Sequence, residues 1–174
     1  MIRSLFVRFV ASSALCALAI LASPAPTSAQ TPSASDGGQV VSANPFLLMF
    51  EWFNVEYARQ LTDSSTWGVS VSFLGFDDGD YSNVTGLYRF YPQGRAMNGF
   101  FVGGRAGVYH IDYLGGDGNA FGLGFEIGYD WLLGRERKFA VSIGAGATRL
   151  FGGDLNGAST GIPTVRLINL GWRF

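Results

Sequence analysis

One cysteine, one histidine, few charges and no apolar run of helix-spanning length: the chain of 174 residues is defined first by what it has little of. The single cysteine, Cys16, lies in the N-terminal leader, so the exported chain carries no thiol and crosses an oxidising compartment without disulfide errors. Charged residues make up 14% of the sequence, against about 25% in an ordinary soluble domain, and the formal net charge is -1 with no basic stripe, which gives no case for nucleic acid. No stretch after Ala29 holds 18 consecutive apolar residues, so no helix crosses a bilayer. What is abundant is glycine, 25 residues, and aromatic side chains, 15%. An exported chain this apolar needs somewhere to place its surface, and the remaining structure that satisfies every backbone group in lipid is a closed β-barrel.

The leader itself has a recognisable layout. Arg3 and Arg8 precede an apolar run from Ala14 to Ala22, and Ser23 to Ala29 is small and proline-bearing, which predicts a signal peptide over 1–29 cleaved after Ala29. Leu15 stands where a lipoprotein leader needs a small residue, so Cys16 is not expected to be lipidated. Residues 30–43, rich in Ser, Thr, Gly and Ala, are expected to be a flexible periplasmic lead-in, and 44–174, within about 145 exported residues, one domain.

From Asn44 onward the sequence alternates in segments of about ten residues separated by turn chemistry. Phe121, Leu123, Phe125, Ile127, Tyr129 and Trp131 share one face of a strand whose other face is Gly122, Gly124, Glu126, Gly128 and Asp130. Trp67 to Phe73, Tyr81 to Tyr91, Phe100 to Asp112, Phe139 to Thr148 and Ile162 to Phe174 are read as further strands. Six large apolar groups on one strand face favour lipid over the half-buried face of a soluble sandwich. Both termini of a bacterial barrel normally lie in the periplasm, which requires an even strand number. The parity change between Phe46-Leu48-Phe50 and Phe53-Val55-Tyr57 therefore predicts two strands, 44–50 and 53–61, turning near Glu51-Trp52, with one bulged strand as the alternative. The expectation is an all-β, eight-stranded, antiparallel up-and-down barrel.

On that topology the outer loops hold Asp77, Asp78, Asp80, Asp117 and Asp154, and the periplasmic turns hold Arg95, Arg135, Arg137 and Lys138. Aromatic rings fall near both interfaces, with Trp67, Tyr91, Trp131, Trp172 and Phe174 at the periplasmic rim and Trp52, Tyr81, Tyr109 and Phe121 at the outer one.

The leader, the short alternating strands, the glycine-rich lumen face and the closing Gly171-Trp172-Arg173-Phe174 resemble small eight-stranded bacterial outer-membrane proteins of the outer membrane protein A transmembrane-domain class. Tyr88-Arg89-Phe90-Tyr91-Pro92 followed by Gly99 to Gly104 also resembles uncharacterised small outer-membrane barrel families. The resemblance covers about 44–174 and speaks for architecture rather than activity. It implies outer-membrane lipid and lipopolysaccharide as surroundings, periplasmic chaperones and the barrel assembly machinery as partners, and an assembly signal at Phe174 with Trp172.

Few residues offer chemistry. Glu56, Arg89, Arg105, Glu126 and Asp130 are expected to face the lumen as a structural ion-pair network, with a gated ion path as the alternative. Arg105 is placed inward because a guanidinium at mid-depth in lipid costs about 2 to 4 kcal/mol. Arg149 and Arg166 are expected to face outward near the outer end, where they could pair with lipopolysaccharide phosphates. An outer-membrane lipid-modifying enzyme would have to be built around His110, with Asp112 two residues on and Ser82 or Ser159 as nucleophile, but no motif joins them. Asp77-Asp78-Gly79-Asp80 fits no complete calcium loop, and the strand glycines are followed by no helix, so no metal or cofactor is expected. The leading expectation is a non-enzymatic barrel with a structural, adhesive or surface-interaction role.

Overall fold

The computed structural model describes residues 38–76, 79–113, 116–152 and 161–174; the leader at 1–29, Asp77, Asp78, Asp154 and Ser159 lie outside the described residues. Among the described residues, eight antiparallel strands close into one barrel in sequence order: β1 (Gln39–Ala43), β2 (Trp52–Thr62), β3 (Ser65–Phe76), β4 (Gly79–Phe90), β5 (Gly99–Tyr113), β6 (Gly116–Leu133), β7 (Phe139–Phe151) and β8 (Gly161–Arg173). Closure runs through β1 and β8, with Val41 opposite Trp172, and Gln39 and Phe174 exchange backbone hydrogen bonds of 3.1 and 3.0 Å. Both ends of the barrel chain therefore lie at one rim, called here the periplasmic end.

The strands alternate because one face meets lipid and the other a narrow lumen. On β4, Val84, Gly86, Tyr88 and Phe90 are exposed while Asn83, Thr85, Leu87 and Arg89 are buried. On β6, Phe121, Phe125 and Ile127 point away from the lumen, with Phe125 60% exposed. Among the described residues no second sheet covers them; the chain presents its apolar side to the outside of a closed ring, the arrangement of an outer-membrane-type barrel.

The start of the barrel differs from the sequence expectation. Residues 44–50 are not a strand: β1 lies earlier, at Gln39–Ala43, inside the segment expected to be a flexible lead-in. Pro45 restricts the residue before it and supplies no N–H, and the Asn44 carbonyl Oδ1 accepts hydrogen bonds from Phe46 N at 3.0 Å and Leu47 N at 3.1 Å. The chain then makes one turn of 3-10 helix, Leu47–Phe50, and leaves it through Glu51 in the left-handed region, φ 58°. Phe46, Leu48 and Phe50 alternate in sequence, but as part of a short outer connection. The outer connection expected at Tyr113–Asn119 is mostly strand, since β5 and β6 pair as far as Tyr113 opposite Gly116.

One irregularity shapes the lumen. Ser142 pairs with Asn169 and Gly144 with Arg166, so β8 carries one more residue than β7 over the same rise. This β-bulge reverses the inward and outward sense of β8 on its two sides.

Because Phe125 lies near the middle of β6 on the lipid face, Phe125→Arg is expected to destabilise the barrel by about 2 to 4 kcal/mol in reversible unfolding from lipid vesicles. A loss below about 1 kcal/mol would place this side chain at an interface rather than in hydrocarbon.

Candidate functional site

The lumen at mid-height is filled by a closed cycle of four charges. Arg89 Nη2 lies 2.7 Å from Glu56 Oε1 and Arg89 Nε 2.5 Å from Glu126 Oε1. Arg166 completes the cycle, with Nη2 2.5 Å from Glu56 Oε2 and 3.4 Å from Glu126 Oε2, and Nη1 donating to Glu56 Oε1 at 3.1 Å. Each carboxylate thus meets both guanidiniums, and the four are between 3% and 10% exposed. Two cations and two anions leave the cycle neutral, which is what makes their joint burial tolerable.

The strands supply room for it. A Cβ on Gly103, which pairs with both Arg89 and Glu126, would sit 3.1 Å from Arg89 Cγ and 3.3 Å from Glu126 Cγ. Gly128 opens a similar space for Phe101, whose ring atom Cζ would be 2.5 Å from an added Cβ. Phe101 is fully buried and lies under Arg89, whose Cζ stands 4.9 Å from the ring centroid.

Of the five residues expected in the network, the structure joins Glu56, Arg89 and Glu126. Asp130 is buried just below the cycle and accepts a hydrogen bond from Tyr91 Oη at 2.7 Å, while Arg105, on β5 outward of Gly103, lines the space above it. Arg166 corrects the sequence reading: it does not face lipopolysaccharide but enters the lumen, because the bulge reverses parity between it and Asn169. Arg149 does point outward, with its guanidinium 5.5 Å from the Phe151 ring, and it lies far enough along β7 that the two arginines do not form one outer patch.

Below the cycle, beyond Asp130 and Tyr91, the lumen is closed by an apolar plug. The turn after β4 folds back over the mouth, held by Tyr91 N to Ser64 O at 2.8 Å and Ala96 N to Asp63 O at 2.7 Å. Met97, in the left-handed region at φ 63°, is carried inside and packs with Val40 and Ala58. Between this plug and the cycle lies a cavity of about 30 Å³ bounded by Glu56, Arg89, Tyr91 and Met97. Above the cycle is a larger cavity of about 80 Å³. Its rings are Trp52, Tyr81 and Tyr109, which point inward rather than joining the outer aromatic girdle: Trp52 meets Tyr81 edge-on at 6.3 Å, and Tyr81 lies 6.3 Å from Tyr109. Tyr91 likewise leaves the periplasmic girdle for the lumen, whereas Trp172 and Phe174 remain exposed at 56% and 63%.

On the lipid side near the outer rim, His110 Nδ1 shares a hydrogen bond with Asn119 Oδ1 at 3.1 Å, and the register sets Ser82 opposite His110 on β4. Asp112 lies two residues along the same strand and is exposed.

No protein-family model matches the chain, and no curated protein matches it. Among solved structures it is similar to the N-terminal β-barrel domain of Pseudomonas aeruginosa OprF, at 14% identity and a TM-score of 0.48, over 80% of this chain and 100% of that one.

Arg166→Met removes one cation from the cycle and leaves two buried carboxylates with one partner. It is expected to destabilise the barrel by about 3 to 5 kcal/mol, whereas Arg149→Met, at an exposed position, is expected to cost under about 1 kcal/mol. Equal small losses in equilibrium unfolding would return Arg166 to the lipid face.

Proposed function

We propose that the protein is a non-enzymatic outer-membrane β-barrel with a structural or surface-interaction role, its lumen closed by its own side chains. The observation that carries this reading is the neutral four-charge cycle stacked on the Phe101, Tyr91 and Met97 plug, which blocks the bore at two levels. In this reading the leader at 1–29 is removed after Ala29, periplasmic chaperones deliver the chain, and the barrel assembly machinery engages the exposed Trp172 and Phe174. Arg149 then lies against lipopolysaccharide phosphates. The outer connection Phe46–Phe50, with Met49 80% exposed, supplies an apolar contact surface outside the barrel and supports interaction with other envelope components.

A second reading is favoured by one observation: Ser82, His110 and Asn119 stand in a row across β4, β5 and β6 at the outer leaflet, where a lipid ester would lie. Mass spectrometry of lipid A and phospholipids separates the two, since acylation changed by the gene and restored to the null pattern by Ser82→Ala would establish the enzyme.

Cell fractionation is expected to place the protein in the outer membrane, with a gel mobility that shifts on heating. Planar bilayers holding refolded protein are expected to stay silent, and Met97→Gly alone is expected to leave them silent because the charge cycle persists. Recovery in the osmotic-shock fluid would overturn the membrane reading, and regular conductance steps from the native chain would overturn the closed lumen.

A further inference from the structure

We propose that the outer half of the lumen is a binding site for a small oxyanion, a carboxylate or phosphate carried by a free solute. Three residues that line this cavity each carry a buried donor atom that gives no hydrogen bond to the described protein: Asn44 Nδ2, Trp52 Nε1 and Arg105 Nε. Asn44 is 1% exposed, and its orientation is fixed because Oδ1 is already held by Phe46 N and Leu47 N, which leaves the amide nitrogen to face the cavity. The indole of Trp52 can only donate, and so can a guanidinium.

The charge balance points the same way. Arg105 and Arg166 line the cavity and no Asp or Glu does. Arg166 is neutralised from below by Glu56 and Glu126, whereas among the described residues Arg105 forms no ion pair. Arg105 is therefore a cation at the cavity wall with no carboxylate in direct contact. Its neutral polar walls are largely engaged with each other: Asn54 Nδ2 donates to Ser72 Oγ at 2.6 Å and Ser70 Oγ at 3.3 Å, and Asn83 Nδ2 donates to Tyr81 Oη at 3.0 Å. The buried atoms at this cavity that lack a partner are all donors, one of them on a charged group, and donors match oxygens that only accept. A neutral sugar, which brings as many donors as acceptors, matches it less well.

Size sets the ligand class. A volume of about 80 Å³ accommodates roughly five water-sized bodies, the bulk of acetate or inorganic phosphate rather than of a nucleotide or a lipid headgroup with its chains. The ion-pair cycle forms the floor, so the site is a blind vestibule and its occupancy does not require passage through the barrel. The inference is independent of the structural role proposed above and of whether the bore conducts.

The test uses the full chain refolded in lipid-free detergent micelles, titrated with sodium acetate, sodium phosphate and sodium chloride at matched ionic strength, and followed by calorimetry and tryptophan fluorescence. Saturable binding of acetate or phosphate is expected, with the stronger of the two arms naming the oxyanion. Arg105→Met is expected to weaken it at least about tenfold, since it removes the charge-assisted contact. Trp52→Phe is expected to abolish the fluorescence change and weaken binding a few-fold by calorimetry. Heat-shifted gel mobility verifies that both variants form barrels. An equal response to chloride, an Arg105→Met barrel that binds like the native one, or no saturable binding of either oxyanion would each overturn the site.

Discussion

Four charges share the midsection of the barrel, and none of them could be held there alone. An isolated carboxylate or guanidinium in so narrow a bore would lose its hydration without recompense, whereas the cycle of Arg89, Glu56, Arg166 and Glu126 gives every charge two opposite neighbours. Its members come from β2, β4, β6 and β8, alternate strands around the ring. The cycle therefore ties opposite walls of the barrel together. The small residues on the intervening strands follow from it: Gly103 and Gly146 on β5 and β7, and Ser70 on β3, stand beside its members, and Gly103 in particular has no room for a side chain.

Most of the architecture was legible in alternation alone. Period-two patterning determines which side of a strand meets hydrocarbon, and it placed the apolar alternation from Phe121 to Trp131 outside and Glu56, Arg89, Glu126 and Asp130 inside, while the lipid cost of a guanidinium placed Arg105. Where it failed, a backbone event had broken the period. The bulge between Arg166 and Asn169 reverses parity, and counting back from Trp172 puts Arg166 on the wrong face. A lone arginine among apolar positions, carrying the same lipid penalty used to turn Arg105 inward, was the signal that could have exposed the error.

The beginning of the barrel was illegible for a different reason. Gln39-Val40-Val41-Ser42-Ala43 is too short and too bland to announce a strand, and its place is fixed by pairing with β2 and β8 rather than by its own pattern. Phe46, Leu48 and Phe50 imitated a strand while Asn44 and Pro45 imposed a turn. Taking 52–62 as one strand would have put Trp52 on the face of Glu56 and revealed an inward ring. The same parity that sends Arg89 inward also sends Tyr81 inward, so the inner aromatic group was available to the alternation once rings were not assigned to the interface by type.

The lumen is consequently polarised along its axis. Its periplasmic third is closed by Tyr91, Phe101 and Met97, and its outer third is wider, polar and edged by Trp52, Tyr81 and Tyr109. A purely structural filling has no need of such asymmetry, because hydrophobic packing above the cycle would stabilise the ring as well as it does below. Side chains above the cycle instead hold one another by hydrogen bonds and keep a cavity open, with Thr85 Oγ1 donating to Asn83 Oδ1 and lying within hydrogen-bond distance of Tyr109 Oη. That arrangement retains stiffness without filling space, and it sets an apolar plug at one end of the bore against a polar, hydrogen-bonded cavity at the other.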